Sequence, residues 1–219
     1  MTTQTAYDAV IFDNDGVLTT PTERDVLIDA MHDAFETVGV TDPAADHVDT
    51  LLSPDLPSLR RLAADHGVEP DELWTAREEA AIAAQLAELR RGEKRHYDDV
   101  TTLESLSVPT GIVSNNQHET IGNILEHCDL AGFDVWYGRE PTLEGIERKK
   151  PTPYYLERAC TDLGAENPLY VGDSRVDVAA ADAAGIDAAF IRREHRTGYE
   201  LSREPAHELE SLAAVCDLV

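Results

Sequence analysis

Asp13 and Asp15 stand two residues apart, with Gly16 directly behind them. Side chains alternate along a strand, so residues two apart can face one site while Asn14 points away from it. Neighbouring carboxylates repel, raise each other's pKa and are relieved by a divalent cation. Hard oxygen ligands of this kind suit Mg2+, which leans on a few carboxylates plus a substrate phosphate. A second acidic pair, Asp173 and Asp177, follows a later apolar run. Both pairs also fit a turn or helix cap, with Asp173 or Ser174 holding the first amides of a helix. Between the pairs lie Ser114-Asn115-Asn116 and Lys149-Lys150-Pro151. Lysine occurs at only three positions, 94, 149 and 150, against 15 arginines, so a retained lysine pair is informative, and on local grounds either member can be the important one. Two acids, a hydroxyl, a lysine and two more acids are the groups that phosphoryl transfer needs. One aspartate can attack phosphorus, another can move the proton, and the hydroxyl and ammonium can hold the equatorial oxygens.

The elements that must position these groups follow from periodicity. Residues 8–13 predict a short buried strand. Residues 22–106 show helical spacing and no convincing strand, in TERDVLIDAMHDAFETVG, in SLRRLAADHG and in PDELWTAREEAAIAAQLAELRRG. From residue 108 strands and helices alternate: VPTGIVS, ETIGNILEHCDL, FDVWYG, PYYLERACTDLG, NPLYVGD, VDVAAADAAG and IDAAFIRR. Alternation of this kind implies right-handed crossovers and a parallel sheet. The tail EPAHELESLAAVCDLV predicts one more helix. The expected fold is α/β: a Rossmann-like parallel-sheet core, residues 1–18 and 107–219, with a helical cap domain, residues 19–106, inserted after the first strand. Ligands of such sheets bind at the carboxyl ends of the strands, where these polar residues gather.

The chain has 219 residues and 42% hydrophobic content, ample for a proper core. Its 43 acidic and 18 basic residues give a net charge of −25. Such a surface repels nucleic acid and anionic membranes, so neither is an expected partner. The acids are scattered rather than gathered in a tail, which resembles the composition of salt-accumulating halophiles more than that of an ordinary acidic protein. Cys128, Cys160 and Cys216 are isolated, which argues against a disulfide framework or zinc site and leaves each as a small buried hydrophobe. There is no signal-peptide pattern and no apolar run long enough to span a bilayer, so a soluble cytoplasmic protein is expected.

DNDGVLT, IVSNN, KKPTP and GDSRVDVAAADAAG resemble, in order, the four motifs of the haloacid dehalogenase superfamily, and the insert is similar to the cap of its phosphoglycolate phosphatase and β-phosphoglucomutase branch. The resemblance implies Asp13 as nucleophile and metal ligand. It implies Asp15 as general acid/base, with its backbone carbonyl on the metal. Ser114 and Asn115 would bind phosphate, and Lys150 would neutralise charge on nucleophile and phosphate. Asp173 and Asp177 would serve the Mg2+ site. The dehalogenating members lack the second acid of the first motif, so Asp15 points to phosphatases. Asn14, where the family more often has an apolar residue, is expected to be tolerated.

The implied function is Mg2+-dependent hydrolysis of a small phosphorylated metabolite, phosphoglycolate-like or a sugar phosphate, through an aspartyl phosphate. A phosphomutase using the same intermediate is the alternative. A phospho-signalling receiver is disfavoured by the long insert, and a dead relative by the presence of every motif acid. In the cap, Arg60, Arg61, Arg77, Lys94 and Arg95 can either bind the substrate anion or pair with nearby acids such as Glu78, Glu79 and Glu93; pairing is favoured for any single one. His96 and Trp74 are expected to pack or lie on the surface.

Overall fold

The computed structural model describes residues 7–130 and 132–219. Strand β1, Ala9–Phe12, is fully buried. A helical block follows: α1, Arg24–Thr37; α2, Ala45–Leu52; α3, Leu56–His66; and α4, Pro70–Arg91. Helix α4 has Pro70 in its first turn, Asp71 and Glu72 near its positive end, and Arg90 and Arg91 near its negative end. It stops where Gly92 turns left-handed at φ 75°. Its Leu73 and Trp74 pack with Met31, Phe35, Leu51 and Leu59 in a hydrophobic cluster of the block's own.

A 3₁₀ segment, Asp98–Ser105, returns the chain to the sheet. There follow β2, Thr110–Gln117; α5, His118–His127; β3, Val135–Arg139; α6, Leu143–Arg148; α7, Tyr154–Leu163; β4, Pro168–Gly172; α8, Arg175–Ala184; β5, Asp187–Ile191; and β6, His207–Leu209. The sheet is parallel, in the order β3-β2-β1-β4-β5-β6. β1 lies at its centre, with Val10 opposite Thr110 on one side and Leu169 on the other. Alternation sends Val10 and Phe12 into one core layer and Ile11 into the other, beneath α7 and α8. The chain winds outward in both directions from β1, so the carboxyl end of β1 is the switch point where such sheets open a cleft.

Three expectations need correction. The tail forms no α-helix: β6 extends the sheet edge, and Leu212–Asp217 is a 3₁₀ turn burying Leu212 and Val215 at the three-residue spacing that suits it. The three cysteines are half-buried rather than enclosed. Asn14 is not indifferent to the site: it is fully buried, and its side-chain Nδ2 donates to Asp15 Oδ1 at 3.1 Å and Thr19 Oγ1 at 3.0 Å. Helices α2 and α6 are too short for periodicity to have revealed them. Among the described residues, no helix is long and apolar enough to cross a membrane.

Candidate active site

Asp13 follows β1 directly, and its amide is held by the Val171 carbonyl of β4. Its Oδ1 accepts from the Asn14 amide at 2.7 Å and lies 2.9 Å from Lys150 Nζ. Lys150 comes from the turn between α6 and α7. Asn115 clamps that turn, accepting from the Lys150 amide at 2.7 Å and donating to its carbonyl at 2.9 Å. Beyond Asp13, the ammonium donates to Asp177 Oδ1 at 2.7 Å and Tyr170 Oη at 2.6 Å. Burial alone would push Lys150 down, but Asp13 and Asp177 outweigh it and hold the ammonium above its ordinary value. Asp177 stays below the usual carboxylate range because Lys150, Ser174 and Tyr170 outweigh its burial. Asp13 goes the other way: burial above all, with the charges of Asp177 and Asp173 overcoming part of Lys150's pull, raises it to about 7.

Helix α8 positions two of these groups through its own cap. Ser174 is its N-cap, accepting from the Asp177 amide, and Asp177 Oδ2 accepts from the Ser174 amide at 3.0 Å. The capping box thus fixes the carboxylate that grips Lys150. Gly172 makes this approach possible: a Cβ there would sit 2.2 Å from Asp177 Cβ. Gly16, at φ +82°, is needed in the same way, since a Cβ would meet Asp173 Oδ2 at 2.2 Å. That Asp173 oxygen also accepts from Arg196 Nε at 2.8 Å and lies 2.7 Å from His195 Nε2, both from the turn after β5.

Asp15 turns toward the helical block. Its Oδ1 is paired with Lys94, a buried lysine just beyond α4 that also donates to the Thr20 carbonyl at 3.1 Å. Its Oδ2 accepts from Asn116 at 2.7 Å, and Asn116 also donates to Gln85 of α4 at 2.8 Å. Ser114 is buried, with its hydroxyl 3.2 Å from the Asn116 amide. From Asp15 a cavity of about 270 Å³ runs between block and sheet, lined by Trp74, Arg77, Asn115, Arg139 and Lys149 among others.

Four motif segments far apart in sequence thus converge on the end of β1. The family model of the haloacid dehalogenase-like hydrolases matches residues 10–191. The chain belongs to that family. Among its relatives, pyrophosphatase PpaX of Halalkalibacterium halodurans is 27% identical over 97% of this chain and 96% of its own length. The phosphoglycolate phosphatase of Neisseria gonorrhoeae is 31% identical over 81% and 76%. CbbY from Rhodobacter sphaeroides, solved in complex with phosphate, shares the fold: TM-score 0.71 and 18% identity, covering 97% of this chain and all of that one.

Phosphatases of this hydrolase family generally use a divalent metal, and the residues present fit one. Asp13, Asp173 and Asp177 bring carboxylate oxygens within 4.8 Å of one another. Asp13 is raised chiefly by burial and in smaller part by the charges of Asp177 and Asp173, and a cation would relieve that repulsion. The side chain of Asp15 is outside that group. Lys94 does pair with an acid, but with Asp15 across the cleft rather than with one of the helical block. Arg77 pairs with Glu78 yet also lines the cavity, while Arg60, Arg61 and Arg95 are exposed. Trp74 packs, as expected, and also walls the cavity; His96 is half-buried. Sequence reasoning missed Tyr170, Arg139, Gln85, His195 and Arg196. Only Arg139 carried a local signal, a lone basic residue closing an apolar strand.

Proposed function

We propose that this hydrolase is a Mg2+-dependent phosphatase of a small phosphomonoester, acting through an aspartyl phosphate on Asp13. The observation that carries this reading is the bond set of Asp13. Lys150 and the Asn14 amide both hold Oδ1, so attack on phosphorus falls to Oδ2. Lys150 would neutralise the incoming phosphoryl oxygens, with Ser114 as a further donor; Asn115, which clamps the Lys150 turn, would act chiefly by positioning. Asp15 would protonate the leaving oxygen and then take a proton from water, its orientation set by Lys94 and Asn116. Asp13, Asp173 and Asp177, with the Asp15 backbone carbonyl, would serve the Mg2+ site, Asp177 through Lys150 and α8. When bound, the cation would neutralise phosphate charge.

Residues 19–106 would act as the cap, closing over a core made of residues 1–18 and 107–219. Names among the relatives make phosphoglycolate a candidate monoester, with pyrophosphate, an anhydride rather than an ester, as a candidate outside that class. The acidic composition supports a halophilic, cytoplasmic setting.

The test is phosphate release from a panel of phosphomonoesters in molar KCl. Wild type should release phosphate only with Mg2+, and chelation should stop it. Asp13→Asn should lose at least about a thousandfold in kcat while keeping its circular dichroism spectrum. Near-normal turnover by that variant would sink the nucleophile assignment.

A further inference from the structure

The phosphatase reading leaves the far half of the cleft without a role. Three cations line it: Arg77 from α4, Arg139 from the end of β3, and Lys149 from the turn before Lys150. One buried carboxylate, Glu78, answers two of them, 2.6 Å from Arg77 and 2.9 Å from Arg139. Asp15, the acid lining the cavity, is paired with Lys94. Glu78 is the carboxylate in contact with the two arginines and Asp55 stands at the exposed rim, so positive charge predominates in this half-open cleft of a chain whose net charge is −25. Like charges gathered in a partly buried cleft repel one another, and a visiting anion relieves that repulsion.

The heads are held in place. Arg77 donates to the Leu51 and Leu52 carbonyls at 3.3 and 2.6 Å, and Lys149 donates to the Pro54 carbonyl at 2.8 Å. Arg139 donates to the Asn115 carbonyl at 3.2 Å, and its guanidinium lies 4.5 Å from the centre of the Trp74 ring. Groups fixed before binding lose little freedom when a ligand arrives. A purely structural brace between block and sheet accounts for Arg77, Glu78 and Arg139. It accounts for where Lys149 is tied, to the Pro54 carbonyl and, at 3.4 Å, the Ser53 hydroxyl, but not for its charge, which no ion pair answers among the described residues.

Resting on the phosphatase reading, we infer that the substrate carries a second anionic group, a carboxylate or a second phosphate, received by Lys149 with Arg139 and Arg77 while the scissile phosphate faces Asp13. Lys149 is then the specificity residue and Lys150 the catalytic one.

Three phosphate esters of two-carbon skeletons test this, with an aryl phosphate alongside. Phosphoglycolate carries the carboxylate, ethane-1,2-diol bisphosphate the second phosphate, and 2-hydroxyethyl phosphate neither. In wild type, at least one doubly anionic ester should exceed 2-hydroxyethyl phosphate in kcat/KM by about tenfold or more, and which one it is identifies the second group. Lys149→Gln should shrink that preference about tenfold, chiefly through KM, and Lys149→Arg should keep most of it. Equal use of all three esters, or a preference untouched in Lys149→Gln, overturns the subsite and leaves the phosphatase reading standing on the aryl phosphate. Silence on all four compounds removes both.

Discussion

At the residue scale, the two adjacent lysines are separated by environment rather than by type. Lys150 is enclosed among Asp13, Asp177 and Tyr170, which keep it charged. Lys149 faces Arg139 and Arg77, with Glu78 behind them and Asp55 at the exposed rim. Burial, then those two arginines, lower it to about 8. A bound anion favours the charged lysine, so the second-anion preference should be full below about pH 8 and fall as pH rises through it. Lys149→Arg should not show that fall, because guanidinium stays charged. Steady-state kinetics on phosphoglycolate and 2-hydroxyethyl phosphate from pH 6.5 to 9.5, a range of about three units, measures it. A preference that is flat in wild type across this range would remove Lys149's charge from the account.

At the scale of elements, α4 couples the helical block to the chemistry. Gln85 on its face and Lys94 just past its end both reach the Asp15 network across the cleft. Neither follows from the helix's periodicity, which reports only the side that packs on Met31 and Phe35. Removing the Lys94 charge while keeping its apolar stem would leave Asp15 held by the neutral donors Asn116, Asn14 and Thr19. Lys94→Met should therefore lower kcat by about tenfold or more with little change in melting temperature. A variant that folds and turns over at the wild-type rate would show the pairing to be incidental. α8 works similarly: one capping box both starts the helix and fixes the partner of Lys150.

At the scale of the whole molecule, charge sets the conditions under which the fold holds. A net charge of −25 on 219 residues repels itself in dilute buffer. Molar salt shortens the screening length to about 3 Å and removes most of that repulsion, while pairs buried in the cleft are screened far less. The melting temperature should rise by about 10 °C or more between dilute buffer and 2 M KCl, as a gain of a few kcal/mol would give. A thermal scan indifferent to KCl would remove the halophilic reading.

The alternation of strands and helices after residue 108, the helical insert and the acids at strand ends were all legible in the chain, because periodicity and the residues that end a strand are local properties. The short elements α2, α6 and β6 were not, since three to eight residues carry too little pattern and packing decides their state. Local spacing left the two lysines equal and the motif resemblance chose Lys150, which does meet Asp13; tertiary structure alone decided that Asp15 turns toward Lys94, that Arg139 lines the cleft, and that Tyr170, His195 and Arg196 reach the acids of the site. Those positions depend on crossovers that bring residues up to about 180 apart in sequence to the end of one strand, and no local spacing encodes that meeting.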